Sequence, residues 1–192
     1  MKTKLLIVIV AGMAVMQLFL QEAQAQPVSA PVPPLLRQRN LSGPRLGFTF
    51  VPGNKELAQD LKAHHMGSIL SQFGWHFEYQ VVPDGGGPSF VVECVPLIAA
   101  VEYGTLIPSG SIAMGIRFPG GIEFGLGPNI LAGGSKKVHT ALVVAVGKSF
   151  DYGGVSIPLN LVCVTSPSGN RFSFMFGYAI TRSVSQPSPI IP

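Results

Sequence analysis

Along residues 115–130, GIRFPGGIEFGLGPNI, large apolar side chains return at every second position. Ile116, Phe118, Ile122, Phe124 and Leu126 share one face, while Gly115, Arg117, Glu123, Gly125 and Gly127 take the other, across a Pro119-Gly120-Gly121 turn. A period of two belongs to a β-strand, so this stretch predicts a hairpin. The same alternation runs through 72–82 (Phe73, Trp75, Phe77, Tyr79 and Val81 on one face) and 171–181 (Phe172, Phe174, Phe176, Tyr178 and Ile180). Strands are also predicted over 45–51, 88–103, 111–118, 121–127, 138–150 and 155–165, with 129–137 as a loop and turn signals at DGGG, DYGG and SPSGN. One segment departs from the period. In KELAQDLKAHHMGSIL (55–70), Leu57, Leu61 and His64 or His65 follow 3–4 spacing behind a capping Asn54, predicting a helix over about 54–70. About eight strands joined to their neighbours by short turns make a meander. The expected fold is therefore all-β: an up-and-down antiparallel β-barrel with one short helix on its N-terminal side.

The ends of the sequence suggest where such a barrel resides. Lys2 and Lys4 precede an apolar run at 5–20, and Ala23-Gln24-Ala25 supplies a small-x-small cleavage pattern, so 1–25 reads as a secretory signal peptide. Residues 26–44 read as a proline-rich flexible arm, 45–182 as the barrel domain and 183–192 as a tail. Loss of Lys2, Lys4 and Glu22 with the signal takes the net charge from +4 to +3, too small an excess to suggest nucleic acid as a partner. Charged residues make up only 11% of the chain against about 25% in ordinary soluble domains, while hydrophobic residues reach 47%. An exported, greasy, weakly charged chain of strands points to a lipid bilayer as its partner.

Alternation does not itself say which face meets lipid; the chemistry of the second face does. In 115–127 and 171–181 that face is mostly Gly, Ala, Ser and Met, with one arginine or glutamate per strand. It would make a poor water-facing surface but a good filling for the narrow lumen of eight strands. Glu78, Glu93, Arg117, Glu123 and Arg171 are accordingly expected to form an internal ion network. Trp75, Phe77, Tyr79, Phe124, Phe174, Phe176 and Tyr178 become candidates for lipid-facing or interface positions, with Tyr103 as a further interface anchor. Pro96 and Pro158 fall inside predicted strands and 138–147 is apolar on both faces, features less usual for such a wall. Cys94 and Cys163 form a possible disulfide, which export would permit.

The leader, the alternating strands of about ten residues from 72 to 181, and the aromatic final strand RFSFMFGYAI together resemble small bacterial outer-membrane β-barrel proteins. The resemblance implies an outer-membrane location and a barrel, and specifies no activity. Candidate chemistry is thin. Glu56, Asp60 and His64 recur at ligand spacing on a helix face, a pattern that solvated charge pairs also produce. Ser71, His76 and Glu78 are the residue types of a hydrolase site, without a nucleophile elbow. The glycine runs lack a phosphate loop's context. No cofactor or metal is expected. The expected function is an exported outer-membrane barrel with a structural or interaction role and no wide pore, rather than an enzyme. The alternatives are a secreted or periplasmic soluble barrel holding a small apolar ligand, and a membrane-barrel enzyme modifying lipids.

Overall fold

A computed structural model describes residues 40–53, 55–83, 87–132 and 138–180. The predicted signal peptide, most of the proline-rich arm, the tail and the proposed cap Asn54 lie outside the described residues. The eight strands are β1 Gly43–Phe50, β2 Ile69–Val81, β3 Ser89–Ala99, β4 Ile107–Arg117, β5 Ile122–Ala132, β6 Val138–Tyr152, β7 Val155–Thr165 and β8 Arg171–Gly177. Ala179–Ile180 continues β8 in the same register against β7. Each strand pairs antiparallel with its sequence neighbours, and β1 pairs with β8, so the sheet closes into a barrel.

The stagger of that closure can be read from the register. Stepping round the wall from Ile107 through Ala99, Gln72, Gly47, Met175, Asn160, Gly147 and Glu123 returns to β4 at Arg117, ten residues beyond the start. Eight strands sheared by ten tilt about 40° from the barrel axis at ordinary strand spacing, and their lumen is just wide enough for side chains to fill. Every residue on that path points inward.

Besides Pro44 and Pro108 near strand ends, three prolines sit well inside strands, each at a lapse in the ladder. Pairing skips from Gly74–Leu97 to Phe77–Cys94 opposite Pro96, and from Ser111–Asn129 to Met114–Leu126 at Pro128. It also lapses between Leu159–Phe176 and Ser156–Ala179 at Pro158, which is why β8 breaks at Tyr178. A residue without an N–H cannot donate to the ladder; in each case one neighbour loses a short stretch of pairing and the strand continues. The apolar 138–147 segment is accommodated by size. Its inward positions are His139, Ala141, Val143, Ala145 and Gly147, mostly small, while Leu142, Val144 and Val146 face out.

The helix α1, Glu56–Ala63, is shorter than the sequence reading, and 69–70 are strand instead. His65 adopts a left-handed conformation (φ 57°), His65 N–H donates to the Lys62 carbonyl, and Met66 N–H donates to the Leu61 carbonyl. That is a Schellman stop, completed by apolar contact between the buried Leu61 and Met66. Other sequence boundaries shift as well: β4 begins at Ile107, and β5 runs through Ala132 where a loop is expected from 129. The predicted strand at 88–103 ends at Ala99 and is followed by a 3-10 turn at Val101–Tyr103.

Candidate functional site: a closed polar lumen

The lumen is built in three levels. At the mouth carrying the longest connection, α1 lies over the strand ends. Ala58 and Leu61 of the helix pack with Val51, Met66, Leu70, Ala99, Ala100, Ile107 and Leu131 in the dry apolar core of the molecule. Leu57 N–H donates to the Ser168 carbonyl at 3.0 Å, tying the helix to the β7–β8 turn. On the rim, Glu102 accepts bonds from the backbone and hydroxyl of Ser71. Slight burial pushes the Glu102 carboxyl up, and those bonds outweigh it, holding the group below the usual carboxylate range.

The opposite mouth holds the charges. Arg117 on β4 extends its guanidinium across the lumen. Nη1 and Nη2 donate to the two Glu78 oxygens at 2.8 and 2.6 Å, while Nε and Nη2 donate to Glu123 Oε2 at 2.9 and 2.7 Å. Asn160 Nδ2 donates to the other Glu123 oxygen at 2.7 Å. Gly147 lies between these two groups in register. A β-carbon there would stand 2.3 Å from Asn160 Nδ2 and 2.7 Å from Glu123 Oε1, so the arrangement requires glycine. Glu93 stands beside the pair, 4.0 Å from Arg117 Nη2. The mouth is closed by Leu41, whose side chain is fully buried. Its N–H donates to Glu78 Oε1 at 2.8 Å and its carbonyl accepts from Arg45 Nη2 at 2.7 Å, while the Glu78 N–H donates to Ser42 Oγ.

Four of the five predicted network residues, Glu78, Glu93, Arg117 and Glu123, therefore meet. Arg171 does not. It hydrogen-bonds Asn129 Oδ1 at 2.5 Å, six residues along β5 from Glu123 toward the helix mouth, roughly 20 Å of strand away. Three partners of the network lie outside the predicted set: Arg45, His76 and Asn160. The inward phase of each is visible in the sequence, but its height within the barrel is not.

His76 shares the network, and its chemistry is set by Arg45. Nδ1 lies 2.5 Å from Arg45 Nη2. A guanidinium only donates, so Nδ1 accepts and the ring proton sits on Nε2. Nε2 has no hydrogen-bond partner among the described residues; the nearest carboxylate oxygens are those of Glu93 at 3.7 Å and Glu78 at 4.0 Å. His76, Glu78 and Glu93 offer atoms within 4.8 Å of one another, a spacing a metal accepts. The protonation pattern does not fit one. Metal-bound histidines donate their second N–H to an acceptor, whereas here the second nitrogen already accepts, and a metal on Nε2 would require an imidazolate.

The hydrolase-type residues do not assemble. Ser71 lies in the outward phase of β2, bonded to Glu102, while His76 points inward at Arg45. On α1, His64 Nδ1 bonds the Asp60 carbonyl, and Glu56, Asp60 and His64 form no ligand group among the described residues. Cys94 and Cys163 are free thiols on β3 and β7, strands that are not neighbours, and both lie in the outward phase, so the possible disulfide does not form.

Between the two mouths is a cavity of about 80 Å³, whose largely apolar wall (Leu97, Val143 and Val164 among others) is interrupted by Arg45, His76 and Arg171. That is room for a handful of waters, well below the roughly 300 Å³ at which organic-ligand pockets begin. The seven aromatics Trp75, Phe77, Tyr79, Phe124, Phe174, Phe176 and Tyr178 all point outward and are exposed. Trp75 occupies the midpoint of the thirteen-residue β2, not its rim. Comparison with protein-family models, curated proteins and solved structures finds no match for this chain.

Proposed function

We propose that the chain is an exported outer-membrane β-barrel protein with a structural or interaction role, its lumen plugged at both mouths. The observation that carries this reading is the inversion of polarity across the wall. Strand after strand presents Leu46, Phe48, Phe73, Ile112, Phe124, Leu142, Leu161 and Phe174 outward, while Arg45, His76, Arg117 and Glu123 are buried inside. Among the described strand residues, Lys148 is the one charged side chain in the outward phase, and its ammonium sits over the Phe150 ring, 5.7 Å from the centroid. Apolar patches on soluble monomers reach a few hundred Å²; this one encircles the barrel. Eleven-residue strands tilted about 40° give a band roughly 27 Å tall, close to the hydrocarbon depth such barrels present. Closure of the sheet also satisfies the backbone along most of its length without water.

The connections are asymmetric. The longest, 51–68, is at the helix mouth, while the two shortest, 118–121 and 153–154, lie at the other together with the seven-residue 82–88. Short turns inside and longer loops outside are the habit of outer-membrane barrels, and the 51–68 connection with its helix supports an external helix mouth. The small volume of the cavity and the outward aromatics argue against a soluble carrier of apolar ligands. Two plugs argue against a diffusive pore.

The test is fractionation of cells expressing the full-length chain, followed by gel electrophoresis with and without boiling. The expected result is recovery in the outer-membrane fraction, with a band whose mobility changes on heating. Recovery of a monodisperse protein in the detergent-free soluble fraction would overturn the reading.

A further inference from the structure

Arg171 is a guanidinium inside the barrel that the ion network leaves out. Its one hydrogen bond goes to Asn129 Oδ1, and no carboxylate among the described residues lies within ion-pair distance. Two hydroxyls near it each accept a hydrogen bond from a neighbour, so each can turn its own proton toward the cavity. Ser173 Oγ donates to Thr49 Oγ1 at 2.9 Å, so the Thr49 hydroxyl proton is free to point elsewhere. Asn129 Nδ2 donates to Ser111 Oγ at 2.9 Å, which does the same for Ser111. Arg171, Thr49 and Ser111 line the same cavity. The three carboxylates that balance the lumen's arginines are all gathered toward the other mouth.

From this arrangement we infer that the helix-side end of the cavity is a binding site for one small monovalent anion of halide size. Arg171 supplies the charge, and Thr49 and Ser111 donate hydroxyl hydrogen bonds. A half-buried guanidinium facing hydroxyl groups with no counter-charge beside it is costly, and one negative charge offsets it. A monovalent ion fits better than a dianion, whose second charge would face Glu93 across the same small space. The volume of about 80 Å³ admits a halide with a few waters and excludes bulky organic anions. The site stands on the lumen's geometry; the detergent assay below rests on the proposed membrane location, and the bromide peak in crystals does not.

Since both mouths are plugged, the experiment loads the site during folding. Full-length barrel without its leader is refolded into detergent in sodium bromide or in sodium gluconate at equal ionic strength. The temperature at which the compact gel band disappears is then measured. Bromide is expected to raise that temperature by several degrees in the wild type, and the Arg171→Gln variant should lose the difference. If Arg171→Gln does not refold, the Thr49→Val, Ser111→Ala double variant keeps the charge and should show a reduced bromide shift. Crystals grown from bromide should carry an anomalous peak beside Arg171. Equal midpoints in the two salts for the wild type, an undiminished shift in these variants, or a bromide peak only on the outer surface would each overturn the inference.

Discussion

Arg117 connects three strands with one side chain: it belongs to β4, bonds Glu123 on β5, and reaches past β3 to Glu78 on β2. It is only 3% exposed, so its replacement leaves two carboxylates in a closed lumen without their cation. Arg117→Gln should therefore lower the unfolding free energy by about 3–5 kcal/mol, read as a fall in the urea midpoint of the refolded barrel. Arg117→Lys, which keeps the charge and loses the fork, should fall between. The inward phase of these residues was legible in the sequence, because alternation states on which side of a strand each side chain lies. Their height was not. Arg171 has the same phase as the network and a different level, and level depends on a stagger that only the closed register reveals. Arg45 shows the same limit: Leu46, Phe48 and Phe50 mark its inward phase, and its height beside Leu41 and His76 comes only from the closed register.

Element boundaries show where local chemistry overrides pattern. Leu57 and Leu61 marked α1 correctly, and the apolar residues Ile69 and Leu70 at the right spacing extended it too far. The stop that intervenes is made by His65 in a left-handed conformation, a place where glycine is the expected signal. His65 is exposed, so His65→Gly removes backbone strain without emptying a packed site. It should raise stability by about 0.5–1 kcal/mol, seen as a higher denaturation midpoint with the circular dichroism spectrum unchanged. The prolines teach a similar lesson. Pro96 and Pro158 argued against uninterrupted strands, and the barrel accommodates each by giving up local pairing with one neighbour while keeping the register on either side.

At the scale of the whole molecule, the fold class was legible because a meander of eight alternating strands has few ways to hide both edges. The two plugs were not, since they depend on where residues 41 and 56–63 settle over the mouths. The single tryptophan reports directly on the proposed surroundings. Trp75 is 46% exposed on the outer face at mid-strand. In vesicles its emission should be blue-shifted and quenched more strongly by lipids brominated near the middle of the acyl chain than by those brominated near the headgroup. Quenching by aqueous iodide instead would place that face in water. Closure itself has a bearing on how the chain is made. The seam joins the first strand to the last, with Thr49 and Ser173 meeting across 124 residues of sequence. Until β8 has emerged, the ribbon keeps two open edges and a greasy flank, the combination most prone to sticking to copies of itself. Assembly thus waits on one long-range stitch of the kind that makes sheets slow to fold, and a cell producing this chain must keep its edges from pairing elsewhere until β8 is made.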